Sequence, residues 1–185
     1  MTRLLGISGA LRRGSYNAAL LRAATRLMPE ASTLEVASIR GIPLYDGDVE
    51  AQGIPAAVSQ LKEAIVAADG VLLVTPEYNN SIPGVFKNAI DWLSRPPADV
   101  KRVFSGRAFA VIGASPGNFG TTLSQAAWLP VLRTLGTHAW FGGRLALARA
   151  ANVFDEIGNL KDAAVEEQLK QFLAGYVAFI RRSRP

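Results

Sequence analysis

One short apolar stretch near the middle of the chain decides the fold: Gly70-Val71-Leu72-Leu73-Val74-Thr75-Pro76. Consecutive aliphatic residues between a glycine and a proline are typical of a strand that is buried on both faces. Apolar residues recur at helical spacing on both sides of it, over 56–68 and 83–93. A buried strand between two helices predicts parallel βαβ crossovers.

The same alternation continues toward both ends of the chain. Further strands are predicted at 4–7, 34–37 and 108–112, weaker strand candidates lie at 137–141 and 145–148, and further helices are predicted at 16–27, 121–135 and 160–181. The Gly, Pro and Asp residues between 41 and 55 predict a loop. We therefore expect an α/β fold with one domain over 1–185, built as a three-layer, doubly wound parallel sheet of five strands.

Composition narrows the classes of function. The 185 residues include no Cys and one His, which excludes a disulfide scaffold, a cysteine nucleophile and a metal site built from several Cys or His side chains. The net charge of +5 favours anionic ligands but is too small to indicate a nucleic-acid partner. No apolar run approaches the roughly 20 residues of a membrane helix, and no signal peptide is recognisable. We expect a cytoplasmic protein without a membrane partner.

The loop after the first predicted strand is Ser8-Gly9-Ala10-Leu11-Arg12-Arg13-Gly14-Ser15-Tyr16-Asn17, and it leads into a helix. A helix N-terminus presents free backbone N–H groups and the positive end of the helix dipole, so this position suits a phosphate. Two serine hydroxyls and the guanidinium of Arg12 or Arg13 supply further donors. The alternative is that Ser15 only caps the helix and that the arginines are solvated.

The two glycines of this loop have the spacing of a P-loop, but the rest of that motif is missing. Ser15 stands in the place of the lysine, and Tyr16 stands in the place of the magnesium-binding hydroxyl. Phosphoryl transfer needs the lysine and the metal to neutralise developing charge. The loop is therefore expected to hold a phosphate without transferring it.

The loop after the central strand is Thr75-Pro76-Glu77-Tyr78-Asn79-Asn80-Ser81-Ile82-Pro83-Gly84. Pro76 cannot continue a central strand, so the chain must leave the sheet there. Tyr78 offers a flat face, and the two asparagines offer amide donors and acceptors. This pattern favours contact with a planar polar ligand, and the alternative is a connecting turn rich in Asn and Pro.

The loop after the predicted strand at 108–112 contains Gly113-Ala114-Ser115-Pro116-Gly117, which matches the G-x-S-x-G pattern of a nucleophile elbow. The residue after the serine must donate a backbone N–H to the oxyanion hole, and Pro116 has none. No Asp or Glu lies between Ser115 and the only histidine, His138. A serine hydrolase is therefore not expected, and the glycines, Gly117 among them, suit close backbone approach to a ligand instead.

The three loops together indicate a flat, phosphorylated cofactor. The first offers a phosphate site, the second a contact for a planar group, and the third a glycine-rich wall. The usual sets of acid, base and nucleophile are missing, so the chemistry is expected to belong to the cofactor, and hydride transfer through a flavin fits this pattern.

Two segments resemble the signatures of the NADPH-dependent FMN reductases, with the chromate and quinone reductases as the most similar branch: residues 8–17 and 75–95. The resemblance implies a flavodoxin-like fold, a non-covalently bound FMN and NADPH as electron donor. It also implies ping-pong, two-electron reduction of a small-molecule acceptor such as a quinone, a free flavin, an azo compound or chromate. A homodimer or homotetramer is implied as well, with Trp92 either at the interface or in the core.

The resemblance also assigns roles to individual residues. It implies that the FMN phosphate is held by Arg12, Ser15 and Asn17, with Ser8 and Tyr16 beside them. The isoalloxazine ring would be bordered by Pro76, Glu77, Tyr78, Asn79 and Asn80, with Ser115 and Gly117 on its far side. Two positions depart from the family pattern: Ala10 replaces a frequent serine, for which Ser8 or a backbone N–H would substitute, and Asn80 replaces a frequent tyrosine.

A flavodoxin-type electron carrier, which binds FMN without being an enzyme, is the alternative function. Such carriers are usually acidic so that they can dock to their partners, whereas this chain carries a charge of +5. The sequence therefore favours the reductase.

Overall fold

The strands of the computed structural model, which describes residues 1–183, form one parallel sheet. Their bounds are β1 (Thr2–Ser8), β2 (Ser32–Ala37), β3 (Gly70–Val74), β4 (Ala108–Ala114), β5 (His138–Ala139) and β6 (Ala146–Leu147). The order is β2-β1-β3-β4-β5, and the short β6 pairs with β4 beyond the end of β5. This order is that of the flavodoxin-like doubly wound sheet, so the predicted fold class is confirmed, with a sixth short strand added at the edge.

Eight helices connect and cover these strands within residues 1–183. They are α1 (Tyr16–Arg26), α2 (Gly47–Gln52), α3 (Ala56–Ala67), α4 (Gly84–Leu93), α5 (Asp99–Val103), α6 (Thr122–Thr134), α7 (Ala150–Val153) and α8 (Ala163–Ser183). The predicted domain also includes residues 184 and 185, which lie outside the described residues.

The core consists of two apolar layers, one on each face of the sheet. Alternate strand residues point to opposite faces, so Leu72 packs with α1 and α8, whereas Val71 and Leu73 pack with α3, α4 and α6. All of these strand residues are fully buried, which is why the central strand reads as one continuous aliphatic run.

The burial of Trp92 shows whether it lies in the core or at an interface. Trp92 is fully buried on α4, and its indole N–H donates to the carbonyl oxygen of Pro43 at 2.9 Å. It therefore belongs to the core.

Several predicted boundaries shift in the structure. The predicted loop at 41–55 contains α2, which has no buried residue and so no apolar periodicity to reveal it. The closing helix begins at Ala163 rather than Leu160, because the carboxylate of Asp162 accepts from the N–H groups of Ala164 and Val165 and caps it. The two weak strand candidates shrink to the two-residue strands β5 and β6.

The register of the sheet brings three loops to one edge. Ser8 pairs with Val74, and Val74 pairs with Ile112, so β1, β3 and β4 end side by side. The crossover from β1 leads outward to β2, while β3 lies on the other side of β1, which makes the β1–β3 boundary the topological switch point where ligands bind in such sheets. Among residues 1–183, no helix is both long enough and apolar enough to cross a membrane.

Candidate cofactor site

A cleft of about 250 Å³ lies at this switch point, between the three loops. Its lining residues are Ala10, Arg12, Ser15, Tyr16, Asn17, Pro76, Glu77, Tyr78, Ala114, Ser115 and Pro116. The structure thus brings together eight of the predicted site residues. Four others lie outside this lining set: Ser8, Asn79, Asn80 and Gly117.

Ser15 both caps α1 and lines the cleft, so the two interpretations of this residue are compatible. Its Oγ accepts from the backbone N–H groups of Asn17 at 3.2 Å and Ala18 at 3.3 Å, and Ser15 is buried. The hydroxyl hydrogen can still be donated to a ligand. The cleft therefore contains a capped helix N-terminus with a hydroxyl donor at its edge.

Arg12 lines the cleft, whereas Arg13 is not among the lining residues, so the position of Arg12 favours it as the phosphate contact. The guanidinium of Arg12 lies 5.3 Å from the centre of the Tyr16 ring, and that ring stacks on Phe154 with 5.9 Å between centroids. A cation held over an aromatic face keeps its N–H donors free for an anion.

Ser8 is the last residue of β1, and its hydroxyl oxygen is buried without a hydrogen-bond partner among residues 1–183. A buried hydroxyl that has no partner costs free energy, so a polar ligand at this edge would satisfy it. Ser8 is not among the lining residues of the cleft, so the substitution of Ser8 or a backbone N–H for the hydroxyl missing at Ala10 stays a prediction.

The side chain of Asn17 has a structural role that the sequence did not reveal. Its Nδ2 donates to the carbonyl oxygen of Ala114 at 2.8 Å, and its Oδ1 accepts from the N–H of Ala114 at 2.8 Å. The buried amide therefore joins α1 to the end of β4. One N–H of the amide is left for a ligand, so the predicted phosphate contact stays a prediction.

The loop after β3 makes a tight turn before α4. Tyr78 and Ser81 exchange backbone hydrogen bonds of 3.2 and 3.0 Å, and Asn79 and Asn80 between them adopt the left-handed conformation with φ of 49° and 62°. Asparagine tolerates this conformation better than most residues, which explains the Asn-Asn pair. Both asparagines are exposed outside the cleft lining, and Tyr78 is left with 48% of its surface exposed at the rim.

Glu77 caps a helix from a distance. Its Oε2 accepts from the backbone N–H groups of Leu123 at 2.8 Å and Ser124 at 2.9 Å, in the first turn of α6. Thr121, at the usual capping position, makes no such side-chain bond. One carboxylate oxygen of this predicted ring contact is thus occupied by the protein itself, which sequence spacing does not indicate.

Two glycines allow the chain at the end of β4 and in the following loop to pack closely against neighbouring backbone. A Cβ at Gly113 would lie 2.0 Å from the carbonyl oxygen of Thr75, and Gly120 has a φ of 64° with a Cβ position 2.4 Å from the carbonyl oxygen of Ala146. At Gly117, by contrast, a Cβ would meet only Ser115 Oγ at an ordinary 3.6 Å. The glycines that close approach requires are therefore Gly113 and Gly120.

The nucleophile-elbow interpretation is also excluded by geometry. Ser115 Oγ accepts from the N–H of Gly117 at 3.2 Å, at the carboxyl end of β4. His138 pairs with Ala108 at the opposite end of the same strand, and its ring contacts Phe179 with 4.5 Å between centroids. The only histidine cannot serve as a base for Ser115.

Arg40 adds a guanidinium that the sequence analysis missed. It follows β2, the neighbour of β1, and its Nη2 donates to the carbonyl oxygen of Leu11 at 2.6 Å. The one feature of the sequence that points to Arg40 is its position after β2, the parallel neighbour of β1. Together with Arg12 and Arg13 it makes the surroundings of the α1 N-terminus positive, as an anionic group requires.

Comparison with known proteins agrees with this geometry. The model of a family described as NADPH-dependent FMN reductase matches residues 2–152. The chain is 46% identical to an NAD(P)H-dependent FMN reductase of Pseudomonas aeruginosa, over 98% of this chain and 97% of that protein. The chain belongs to the NADPH-dependent FMN reductase family. It is accordingly an oxidoreductase that uses FMN and NAD(P)H.

Two further relatives extend the comparison within this family. A 2-hydroxy-1,4-benzoquinone reductase of Burkholderia sp. is 35% identical over 96% of both chains. The solved structure of FerB, a flavoenzyme NAD(P)H:(acceptor) oxidoreductase from Paracoccus denitrificans, superposes with a TM-score of 0.88 at 32% identity and covers 99% of each chain. These matches span nearly the whole chain, so the likeness is not confined to the cofactor loops.

The cleft suits the FMN of this family. A phosphomonoester needs several converging donors, and the α1 N-terminus, the Ser15 hydroxyl and the Arg12 guanidinium converge here. The partnerless hydroxyl of Ser8 adds a buried donor at the same edge. The residues present therefore fit the group.

Proposed function

We propose that this reductase transfers two electrons from NADPH to quinones, with FMN held in the cleft at the β1–β3 boundary. The observation that carries the proposal is that Arg12, Ser15 and the exposed Tyr78 line one cleft at the N-terminus of α1. The name of the Burkholderia relative, a benzoquinone reductase, supports a quinone as acceptor. We propose residues 1–185 as a single FMN-binding domain.

The protein's own contribution is binding and orientation. Arg12, Ser15 and the α1 N-terminus bind the phosphate, while Pro76 and Tyr78 border the ring on one side and Ser115 on the other. When bound, FMN would supply the reversible two-electron redox chemistry between NADPH and the acceptor. The proposed overall reaction is NADPH + H⁺ + quinone → NADP⁺ + hydroquinone, in which NADPH supplies a hydride and solvent supplies the proton. NADP⁺ would leave before the quinone enters.

The preferred electron donor and the further electron acceptors are proposed from the same site. The guanidiniums of Arg13 and of Arg40, which donates to the carbonyl oxygen of Leu11 in the same loop, favour the additional phosphate of NADPH over NADH. Free flavins, azo compounds and chromate are proposed as further acceptors, because a bound flavin would supply electrons to acceptors of suitable reduction potential that reach its ring. Comparing kcat/KM for NADPH and NADH tests the donor preference, and equal values would contradict it.

The visible spectrum under anaerobic conditions tests the central proposal. We expect the purified protein to be yellow, to lose its flavin absorbance on mixing with NADPH, and to regain it on addition of 1,4-benzoquinone. A protein that stays colourless with added FMN would overturn the cofactor assignment at this cleft. Flavin absorbance that persists after NADPH would instead indicate the electron carrier.

Assembly and location are proposed as well. Large apolar side chains are exposed on several loops and helices, Leu44, Phe119 and Phe141 among them, and this supports a homodimer or homotetramer. The cytoplasmic location is proposed from the sequence, which contains no cysteine. Size-exclusion chromatography with light scattering should give the mass of two or four chains. A mass of 19.7 kDa, that of the monomer, would contradict this assembly.

A further inference from the structure

Arg149 is held in a backbone conformation that residues with a Cβ rarely adopt. It lies two residues after the end of β6, with φ of 47° and ψ of 47°, and it precedes the four-residue helix α7. Left-handed residues other than glycine and asparagine persist only where the surrounding contacts hold them, and they concentrate at functional sites. The contacts of Arg149 must therefore stabilise this conformation.

Those contacts lead to the loop after β4. The backbone N–H of Arg149 donates to the carbonyl oxygen of Gly117 at 2.9 Å, and its guanidinium Nε donates to the Oδ1 of Asn118 at 3.0 Å. The residues beside Arg149 bond to the same loop, since Ser115 N donates to Leu147 O at 2.9 Å and Ala150 N donates to Ser115 O at 3.1 Å.

The loop depends on these bonds because little else covers it. Residues 116–119 are all exposed, and Phe119 keeps 82% of its surface in solvent. Their other bonds are local, from Gly117 N to Ser115 Oγ and from Thr122 Oγ1 to Phe119 O. Arg149 therefore contributes the side-chain bond that joins this exposed segment to the rest of the molecule.

We infer that Arg149 is a positioning residue, which fixes Gly117 and Asn118 so that Ser115 and Pro116 form a rigid wall of the cofactor cleft. The inference rests on the proposed function, because the wall matters only if the cleft holds the flavin ring. A wall that is already ordered lowers the entropic cost of binding, so loss of the Arg149–Asn118 bond weakens the cofactor and changes its surroundings.

Binding of FMN to the apoprotein, followed by flavin fluorescence and visible circular dichroism, tests this. Arg149→Gly keeps the left-handed backbone and its N–H but removes the guanidinium, and Asn118→Ala removes the acceptor. We expect each change to weaken FMN binding about 3- to 10-fold and to alter the flavin dichroism. Arg149→Lys, which retains a donor, should restore most of the affinity.

The double variant separates coupling from independent effects. If the two side chains act through one bond, Arg149→Gly combined with Asn118→Ala weakens binding no more than either change alone. Arg133→Ala removes an equal charge from an exposed site on α6 and should leave binding unchanged. Affinities of the Gly and Ala variants equal to wild type, or losses that add in the double variant, would overturn the inference. If the wild-type protein itself fails to bind FMN, the proposed function fails first.

Discussion

At the scale of single residues, the partner of a side chain decides its role more than its type does. Asn17 was predicted to bind a phosphate, yet its amide donates to and accepts from the backbone of Ala114, which lies 97 residues away in the chain. The same side chain thus fixes the end of β4, from which the loop carrying Ser115 departs. Its contribution to the site is first of all geometric.

Replacing Asn17 by Asp tests this residue. A carboxylate has the same shape but cannot donate to the Ala114 carbonyl, and it would place two oxygens together in a buried position. We expect Asn17→Asp to lower the free energy of unfolding by about 2–3 kcal/mol, measured by urea denaturation. Asn152→Asp, the same change at an exposed site in α7, should cost less than about 0.5 kcal/mol. Equal effects at the two sites would contradict a clamping role.

At the scale of elements, the loops of the site are joined to the helices by specific polar contacts. The first turn of α6 has no side-chain cap of its own and takes the carboxylate of Glu77 from the loop after β3. Thr75 Oγ1 lies 2.9 Å from Ser124 Oγ in the same turn, which adds a third hydrogen bond between that loop and the helix. Two of the three loops at the cleft are therefore held to each other through α6.

Removal of this cap should loosen both the helix and the loop. We expect Glu77→Ala to lower the free energy of unfolding by about 1–2 kcal/mol, because two backbone donors lose their acceptor and the helix dipole loses a negative charge. Glu77→Gln, which retains an acceptor oxygen, should cost about half as much, and Glu156→Ala, at an exposed carboxylate, should cost little. Denaturation curves for the three variants give their free energies of unfolding. A free energy of unfolding for Glu77→Ala equal to that of wild type would show that the cap is not needed.

At the scale of the whole molecule, the cofactor site and the stability of the domain are linked. The cleft collects residues from the ends of β1, β3 and β4, which are neighbours in the sheet but come from three separate parts of the chain. This arrangement exists only in the folded state, so a ligand that binds it stabilises the fold by mass action.

Thermal unfolding with added FMN measures this linkage. At free FMN equal to 100 times its dissociation constant, we expect about 2.7 kcal/mol of added stability, or a rise in Tm of about 5–10 °C. Arg12→Ala at the same FMN concentration should gain less than about 1.5 kcal/mol, because a charged hydrogen bond to the phosphate is lost. Arg13→Ala, a neighbouring arginine outside the cleft, should respond like wild type. Equal responses of the two variants would contradict the assignment of Arg12.

The sequence by itself determined the fold class, the order of the main elements and the place of the site. Buried strands read as aliphatic runs and helices as periodic patterns, and both signals are local in the chain. Because parallel strands end at one edge, those signals were enough to select the three loops and eight of the residues that line the cleft. The edge strands and the exposed helix α2 were less visible because they bury little apolar surface.

Only the tertiary structure decided which polar groups are free to meet a ligand. Asn17 and Glu77 already have partners 97 and 46 or 47 residues away, while Ser8 has none among residues 1–183. Arg40 and Arg149 reach the loops of the site from segments that carry no motif. The physical reason is that hydrogen bonding depends on distances between groups brought together by the strand register, and spacing along the chain does not encode those distances.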